Sequence, residues 1–331
     1  MKYSFILPTY NRSELLKETL NSLTNQDFDK WEYEIIIIDD NSNDNTESIV
    51  KEYLNRNKII RYNRNKGNKW IWYNRNLWIE LANWEFIIQT EDDAKYPVEY
   101  LSKIDNEIKK LSSEKWWTII VNPRRTWNFN EWIVPKLVDF RRKSIDELTK
   151  KWKRDVIWWW IYTKKLAKEV WWYKPLKIWE DTEFVQRIKN KWYKNIAIFS
   201  TYRIHWEPNT FKKFYKRMFK QWYAYKEYRE QFHPKTSIFW KIFRIWLFLF
   251  PIICLLSTIF IWYLGLLFML LWFVFLSFLN QEIRWMYPLI MRSKKYRYLV
   301  FFVFLYYLTE IYWIFFGRLH RSIKEKQFLI Y

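Results

Sequence analysis

Three consecutive acidic residues, Glu91, Asp92 and Asp93, follow shortly after the apolar run Phe86–Gln89. The run is typical of a buried strand, so the three carboxylates are expected where that strand leaves its sheet. Adjacent carboxylates repel one another, and a buried cluster of them is costly unless a cation neutralises it. Hard oxygen ligands of this kind suit Mg²⁺ or Mn²⁺, usually with a substrate phosphate completing the coordination. The alternative is a solvated acidic turn.

Polar residues also follow two earlier apolar runs of the chain. Helical spacing between the runs predicts strands that alternate with helices, which is typical of an α/β protein with a mostly parallel sheet. Ligands of such sheets bind beyond the carboxyl ends of the strands, so we expect these segments and the acidic residues to line one site. The polar residues are Pro8, Thr9, Tyr10, Asn11 and Arg12 after the first run, and Asp39 and Asp40 after the second.

The charge balance is strongly basic, since the 331-residue chain carries a formal net charge of +21. Such an excess of Lys and Arg indicates an anionic partner, and nucleic acid, a phosphorylated substrate and an acidic membrane surface all fit. The single cysteine, Cys254, excludes an internal disulfide framework and a cysteine-rich metal site. The apolar segment at the start of the chain is too short for a signal peptide, so we expect this part to stay in the cytoplasm.

The tryptophan and glycine contents are abnormal. The chain has 25 Trp and 3 Gly, whereas an ordinary chain of this length has roughly 23 Gly. Many Trp residues stand where a turn or a helix end would favour glycine, for example Trp84, Trp192 and the run Trp158–Trp160. We therefore hypothesise that most of these Trp codons are UGA read as glycine. The alternative is an aromatic-rich protein that uses Trp for stacking or membrane anchoring.

The C-terminal third is apolar. Residues 245–279 contain no charged side chain, whereas one membrane-spanning helix needs about 20 residues, so we predict a hairpin of two spans. Residues 298–316 form a further apolar stretch interrupted by Glu310, which is either a third span or an interfacial helix. Basic residues on both sides of this stretch favour the cytoplasmic face. We therefore predict a catalytic domain at residues 1–235 and a membrane-associated helical segment at residues 240–320.

As an ordered set, several segments of the chain resemble the family 2 glycosyltransferases, which are inverting enzymes with the GT-A nucleotide-sugar-binding fold. The segments are Ile6–Arg12, Ile37–Ser42, Asn74–Ile79, Thr90–Asp93 with Pro97, Trp179–Phe184, and His205. Each is weak alone, but the set spans most of residues 3–206. Trp78, Trp84 and Trp179 fall where the family usually has glycine, which agrees with the recoding hypothesis.

For the donor, the resemblance implies that Asp92 holds Mg²⁺ or Mn²⁺ on the diphosphate, with Asp93 or Glu91 beside it. His205 would be an added metal contact, and a structural histidine is the alternative. The family's Asp-x-Asp pattern is not literal here, so the identity of the two metal-binding carboxylates stays open. The residues implied in nucleotide-sugar binding are Pro8, Thr9, Tyr10, Asn11, Arg12, Asp39, Asp40, Arg75 and Glu91.

For the acceptor, the resemblance implies a general base near residue 180. Asp181, or its neighbour Glu180, would deprotonate the acceptor hydroxyl. The alternative for Asp181 is a helix N-cap, a position that aspartate favours, and the two roles are compatible. Because this family attacks the anomeric carbon directly, no covalent nucleophile is expected.

These features predict a metal-dependent inverting glycosyltransferase attached to the inner cell membrane, with its catalytic domain in the cytoplasm. The donor would be a nucleotide diphosphate sugar, with a UDP-sugar favoured, and the acceptor a lipid-linked or polysaccharide glycan of the cell envelope. One rival is a non-catalytic membrane scaffold with a degenerate transferase domain. The other is a basic nucleic-acid-binding protein, which explains neither the acidic strand ends nor the apolar tail. Nucleic acid is therefore not expected as a partner.

Overall fold

The computed structural model divides into two compact units, residues 1–128 with 149–207 and residues 129–148 with 208–331. The described residues are 2–111, 117–121, 124–152, 160–176, 180–191, 193–220 and 281–300, with the single positions 267, 271, 302, 303, 306 and 307.

The first unit is built on a seven-stranded sheet in the order β3-β2-β1-β4-β8-β6-β9. Its strands are β1 (Tyr3–Thr9), β2 (Tyr33–Asp39), β3 (Ile60–Arg64), β4 (Phe86–Gln89), β6 (Trp117–Val121), β8 (Trp160–Thr163) and β9 (Lys194–Ile198). β8 runs antiparallel to its neighbours β4 and β6, whereas the other pairings are parallel. The predicted α/β fold with a mostly parallel sheet is confirmed.

Helices cover both faces of this sheet. They are α1 (Ser13–Thr24), α2 (Thr46–Arg56), α3 (Ile71–Leu81), α4 (Tyr100–Leu111), α6 (Lys164–Glu169) and α7 (Glu180–Asn190). Side chains alternate along a strand, so Ile35 and Ile37 pack in one core with α1, α2 and α4, while Ile36 and Ile38 pack in another with α3, α6 and α7. A strand buried on both faces explains the uninterrupted apolar run in the sequence.

A second, three-stranded sheet joins segments that are far apart in the chain. Its strands are β5 (Ala94–Lys95), β10 (Arg203–His205) and β7 (Arg124–Thr126), in the order β5-β10-β7. β10 pairs antiparallel with β5, and His205 lies directly opposite Ala94. This pairing brings His205 next to the acidic residues that precede β5.

The second unit has a helical core of its own. Helix α5 (Ile133–Trp152), of which residues 133–148 belong to this unit, contributes to that core with the helical residues 211–220, α8 (Gln281–Arg292) and a 3-10 helix (Lys294–Leu299). Val134, Leu137, Phe214, Met286 and Leu299 are among its buried side chains. Beyond residue 300, the described Val303, Tyr306 and Tyr307 are buried in the same core.

The predicted membrane segment falls mainly on residues that the structure does not describe. Of residues 245–279 only positions 267 and 271 are described, and most of residues 301–316 are not. In the described part of the chain, no helix has both the length and the apolar character that crossing a bilayer requires. The two predicted spans and the third apolar stretch therefore stay predictions.

Three tryptophans adopt a backbone conformation that favours glycine. Trp70, Trp171 and Trp172 have φ values of 71°, 61° and 57°, in the left-handed region where an L-residue costs about 1–2 kcal/mol. The other described residues with positive φ are Asn11 and Asn41, and asparagine tolerates this region far better than a bulky side chain does. Glycine at these three positions would carry no such cost, which agrees with the recoding hypothesis.

Candidate active site

The polar segments that follow β1, β2 and β4 meet at the carboxyl edge of the sheet. The Asp40 backbone amide donates to the Thr9 carbonyl at 2.9 Å, and the Thr90 amide donates to the Ile6 carbonyl at 3.0 Å. Asn11 links the first two segments, because its side-chain oxygen accepts a hydrogen bond from the Asn43 amide at 2.8 Å. The structure thus brings together the segments that the sequence predicts to line one site.

The two aspartates after β2 hold the loop that follows them. Asp39 is fully buried, and its two oxygens accept from the Ser42 amide at 2.7 Å and the Tyr62 hydroxyl at 2.9 Å. One oxygen of Asp40 accepts from the Asn65 side chain at 2.7 Å and the Lys69 amide at 2.8 Å. Both residues shape this edge, and their contacts with a nucleotide stay predictions.

Several of the other residues predicted to contact the nucleotide lie at the end of β1 and in the segment between β1 and α1. Pro8 and Thr9 end β1, with Thr9 buried, whereas the Tyr10 side chain is 44% exposed at the same edge of the sheet. An exposed aromatic ring can stack on a nucleotide base, and a buried threonine cannot. Tyr10 is therefore the member of this segment that is best placed for base stacking.

Arg12 forms ion pairs with two of the acidic residues after β4. Its Nη1 atom is 3.0 Å from Asp92 Oδ1 and 2.8 Å from Asp93 Oδ2. Burial raises the pKa of Asp92 to about 6, and the Arg12 guanidinium opposes that rise. Arg12 therefore joins the loop after β1 to the acidic cluster through ion pairs.

His205 lies on the other side of the same cluster. Its Nε2 atom is 2.9 Å from Glu91 Oε2 and 3.1 Å from Asp93 Oδ1. Burial acts to raise the pKa of Asp93, but the neighbouring His205 imidazole, together with a smaller effect of Arg12, outweighs it, so the pKa is lowered. The ligand atoms of Glu91, Asp93 and His205 all lie within 4.8 Å of one another. Two carboxylates and one imidazole form a donor set that suits a divalent cation such as Mn²⁺.

This geometry narrows the open choice of metal ligands. Glu91 and Asp93 share the cluster with His205, whereas Asp92 is paired with Arg12. Asp92 as a metal ligand stays a prediction, and the group that the described structure assembles is Glu91, Asp93 and His205.

Glu207 is a member of this site that the sequence reasoning missed. The residue is buried, and its Oε1 atom is 3.0 Å from Nδ1 of His205. Residues two apart in an extended chain lie on the same face, so the His-x-Glu spacing at residues 205–207 is the signal that would have found it.

A second buried ion pair lies at the start of α7. Arg75 Nη1 is 2.5 Å from Glu180 Oε1, and both side chains are less than 10% exposed. Burial raises the pKa of Glu180 to about 7, against the opposing effect of Arg75. The Arg75 guanidinium also lies 5.2 Å from the centre of the Tyr173 ring. Arg75, predicted as a donor contact, thus holds Glu180 in the described structure.

Asp181 differs from its neighbour in its contacts. Helix α7 begins at Glu180, so Asp181 lies inside the first turn and is not the N-cap. Its Oδ1 atom accepts from the Thr182 amide at 2.7 Å, and the residue is half-buried. Glu180 is paired with Arg75, and which of the two carboxylates acts as the base stays a prediction.

The fold is GT-A-like, with a mostly parallel sheet and an acidic cluster at its carboxyl edge. The solved structure of the mannosyltransferase PcManGT from Pyrobaculum calidifontis, in complex with GDP-Man and Mn²⁺, covers 97% of this chain and 86% of its own, with a TM-score of 0.59. At 12% identity this likeness is one of fold alone. The sequence profile described as glycosyl transferase family 2 matches residues 4–174, more than half of the chain, and the chain belongs to that family.

The curated relatives named below align with less than half of this chain. The poly(ribitol-phosphate) beta-N-acetylglucosaminyltransferase TarS of Staphylococcus aureus is 39% identical over 95 residues, which is 28% of this chain and 16% of TarS. The GalNAc(5)-diNAcBac-PP-undecaprenol beta-1,3-glucosyltransferase of Campylobacter jejuni is 39% identical over 93 residues, 28% of this chain and 29% of that protein. The uncharacterized glycosyltransferase MG060 of Mycoplasma genitalium is 28% identical over 155 residues, 45% of this chain and 50% of MG060. The chain thus spans half or less of the length of these three relatives.

Proposed function

We propose that this chain is a divalent-metal-dependent inverting glycosyltransferase that uses a nucleotide diphosphate sugar, with a UDP-sugar as the favoured donor. The observation that carries the proposal is the group of Glu91, Asp93 and His205 at the sheet edge where the loops after β1 and β2 converge. Membership of family 2 supports the transferase chemistry.

The residues present fit a cation on the donor diphosphate. Glu91, Asp93 and His205 would hold Mg²⁺ or Mn²⁺, and the bound cation would offset charge on the departing nucleoside diphosphate. Asp92 lies beside this group as a further carboxylate, paired with Arg12. The fold relative PcManGT has Mn²⁺ together with its GDP-sugar, which is in keeping with this class of ion.

The general base in this proposal is Asp181. Its carboxylate takes the proton of the acceptor hydroxyl while that oxygen bonds to the anomeric carbon of the donor sugar. The bond from the anomeric carbon to the diphosphate oxygen breaks, and the nucleoside diphosphate leaves with its electron pair. Glu180 is not the base in this proposal, because its carboxylate is held by Arg75 at 2.5 Å. It is a positioning residue, which anchors the start of α7 next to Asp181.

The acceptor is proposed to be a phosphate-bearing glycan of the cell envelope, either lipid-linked or polymeric. TarS is a poly(ribitol-phosphate) glycosyltransferase, and the Campylobacter relative acts on an undecaprenol diphosphate glycan. A net charge of +21 suits an anionic acceptor of this kind. We place the reaction at the cytoplasmic side of the inner membrane, with residues 240–320 as the attachment. Flotation of the full chain with anionic lipid vesicles tests that placement.

The direct test is release of nucleoside diphosphate from a panel of nucleotide sugars, measured with Mn²⁺, with Mg²⁺ and with a chelator. We expect metal-dependent release from one donor class and its loss in Asp93→Asn and Asp181→Asn. Glu52→Gln, which makes the same kind of change on an exposed helix carboxylate, is the matched control. Folded protein that releases nothing from any donor would contradict the proposal and favour the non-catalytic scaffold.

A further inference from the structure

His205 has two ring nitrogens, and they face different carboxylates. Nε2 points to Glu91 and Asp93, whereas Nδ1 is 3.0 Å from Glu207 Oε1. We propose that Glu207 is a positioning residue that fixes the orientation and the tautomer of His205 for cation binding. This inference rests on the proposed function, since it concerns the same cation site.

The backbone around Glu207 is held in place by a side-chain amide. Asn128 Nδ2 donates to the Glu207 carbonyl at 2.7 Å, and Asn128 Oδ1 accepts from the Glu207 amide at 3.0 Å. Asn128 and Glu207 are both almost completely buried. This two-bond clamp fixes the backbone position from which the Glu207 carboxylate reaches the imidazole.

The strand on which His205 lies is held on both edges. The His205 carbonyl accepts from the Trp127 amide at 2.9 Å, and the Trp206 amide donates to the Asp93 carbonyl at 2.9 Å. The Trp206 bond is made by backbone atoms, so it does not depend on the side chain at that position. With the backbone fixed, the remaining freedom of His205 is the rotation of its ring.

Glu207 removes that freedom. A buried carboxylate at Nδ1 is an acceptor, so Nδ1 carries the hydrogen and the lone pair of the neutral imidazole lies on Nε2, which faces Glu91 and Asp93. Carboxylates in this position orient metal-binding histidines and raise their basicity, and removing one typically weakens metal binding 10–100-fold. Glu207 lies at the nitrogen opposite to the Glu91 and Asp93 contacts, so its role is to orient His205 and not to bind the cation.

The test is the affinity of the donor-free full chain for Mn²⁺, followed by electron paramagnetic resonance. We expect Glu207→Ala to bind Mn²⁺ about 10–100-fold more weakly. Glu207→Gln should lose less, because its amide oxygen still accepts from Nδ1 but carries no charge. The exposed carboxylate change Glu52→Gln is the control and should leave the affinity unchanged.

A second readout follows the tautomer directly. The chain has three histidines, so ¹⁵N-histidine labelling gives few signals, and the one lost in His205→Gln belongs to His205. In the Mg²⁺-loaded protein we expect hydrogen on Nδ1 and none on Nε2. This measurement on the wild-type protein tests the assigned tautomer even if Glu207→Ala does not fold, and the Mn²⁺ affinity of Glu207→Gln tests the role of Glu207.

Two outcomes would overturn the inference and one would remove its basis. Unchanged Mn²⁺ affinity in both Glu207 variants, with binding lost in Asp93→Asn, would leave the cation site intact and exclude a role for Glu207. Hydrogen on Nε2 in the Mg²⁺-loaded protein would exclude the assigned tautomer. Absence of Mn²⁺ binding by the wild type would overturn the cation site of the proposed function, and this inference with it.

Discussion

The first unit buries charge in two different ways. Around His205, the described contacts join four carboxylates, Glu91, Asp92, Asp93 and Glu207, to one imidazole and one guanidinium. At the start of α7, one carboxylate meets one guanidinium in the Arg75–Glu180 pair. Buried charge is costly unless it is compensated, so the two groups have different needs. The pair is balanced as it stands, whereas the cluster has the donor set of a cation site.

The largest predicted effect is on kcat, and it separates the role of Asp181 from that of the cation-site residues. We expect Asp181→Asn to lower kcat about 10²–10⁴-fold, because the acceptor hydroxyl loses its proton acceptor. Mn²⁺ affinity should not change, since Asp181 is not among the carboxylates around His205. Transfer kinetics and Mn²⁺ titration of the same preparation measure the two quantities. A variant that keeps its kcat would exclude Asp181 as the base.

Breaking the balanced pair should cost stability and leave Mn²⁺ affinity unchanged. Arg75→Met leaves the Glu180 carboxylate buried without this partner, and such a loss costs about 3–5 kcal/mol of unfolding free energy. Chemical denaturation measures the cost. The double variant Arg75→Met with Glu180→Met should recover most of it, because neither charge is then buried alone. If the unfolding free energy of Arg75→Met lies within about 1 kcal/mol of the wild-type value, Glu180 does not depend on Arg75 as a buried ion-pair partner.

The same pair predicts a pH dependence of stability. The folded-state pKa of Glu180, about 7, lies above its ordinary 4.5, so between those values the folded chain binds more protons than the unfolded chain. The contribution of Glu180 is therefore fully present below pH 4.5 and falls by on the order of 1–3 kcal/mol as the pH rises through 7. Glu180→Gln lacks this change. Denaturation of both proteins between pH 4.5 and 8 measures this difference. As the pH rises, the unfolding free energy of the wild type should fall relative to that of Glu180→Gln, and parallel profiles would contradict the raised pKa.

The smallest predicted effects come from the left-handed tryptophans. Replacing Trp70 or Trp171, which are both exposed, by glycine should stabilise the fold by about 1 kcal/mol each, because glycine reaches positive φ without a steric penalty. At Trp172 the loss of side-chain packing on the core offsets part of that gain. Trp31→Gly is the control, since Trp31 is exposed and does not have a positive φ. Thermal unfolding compares them, and a loss of stability at all four positions would contradict glycine-like roles. The coding DNA tests the recoding itself, and UGG codons would exclude it.

The convergence of the loops was predictable because it depends on local patterns. The uninterrupted run Ile35–Ile38 indicates a strand buried on both faces, and the residues after it must then lie at the carboxyl edge. The position of His205 was not predictable in the same way. It depends on pairing between strands of only two and three residues, β5 and β10, which carry too little pattern to indicate a partner.

Two other features were not predicted from the sequence, because they also depend on contacts between distant parts of the chain. Residues 123–155 are polar and irregular in pattern, which indicates either an acceptor-side loop region or, preferably, a solvated surface. Yet α5 occupies 20 of them, because its buried positions pack on helices distant in the chain. The pairing of Arg75 with Glu180 joins residues about a hundred positions apart, for which the family resemblance implied a donor contact and a base. Long-range packing decided both outcomes.

Mn²⁺ binding by the donor-free chain tests the central claim most directly, with Asp93→Asn compared with Glu180→Gln. Each variant replaces one buried carboxylate by its amide, one in the cluster and one in the balanced pair. We predict that Asp93→Asn weakens Mn²⁺ binding more than about 100-fold, since a ligand matters more than its supporting residues, and that Glu180→Gln leaves it unchanged. Equal Mn²⁺ affinity in the two variants, or no binding by the wild type, would contradict the account.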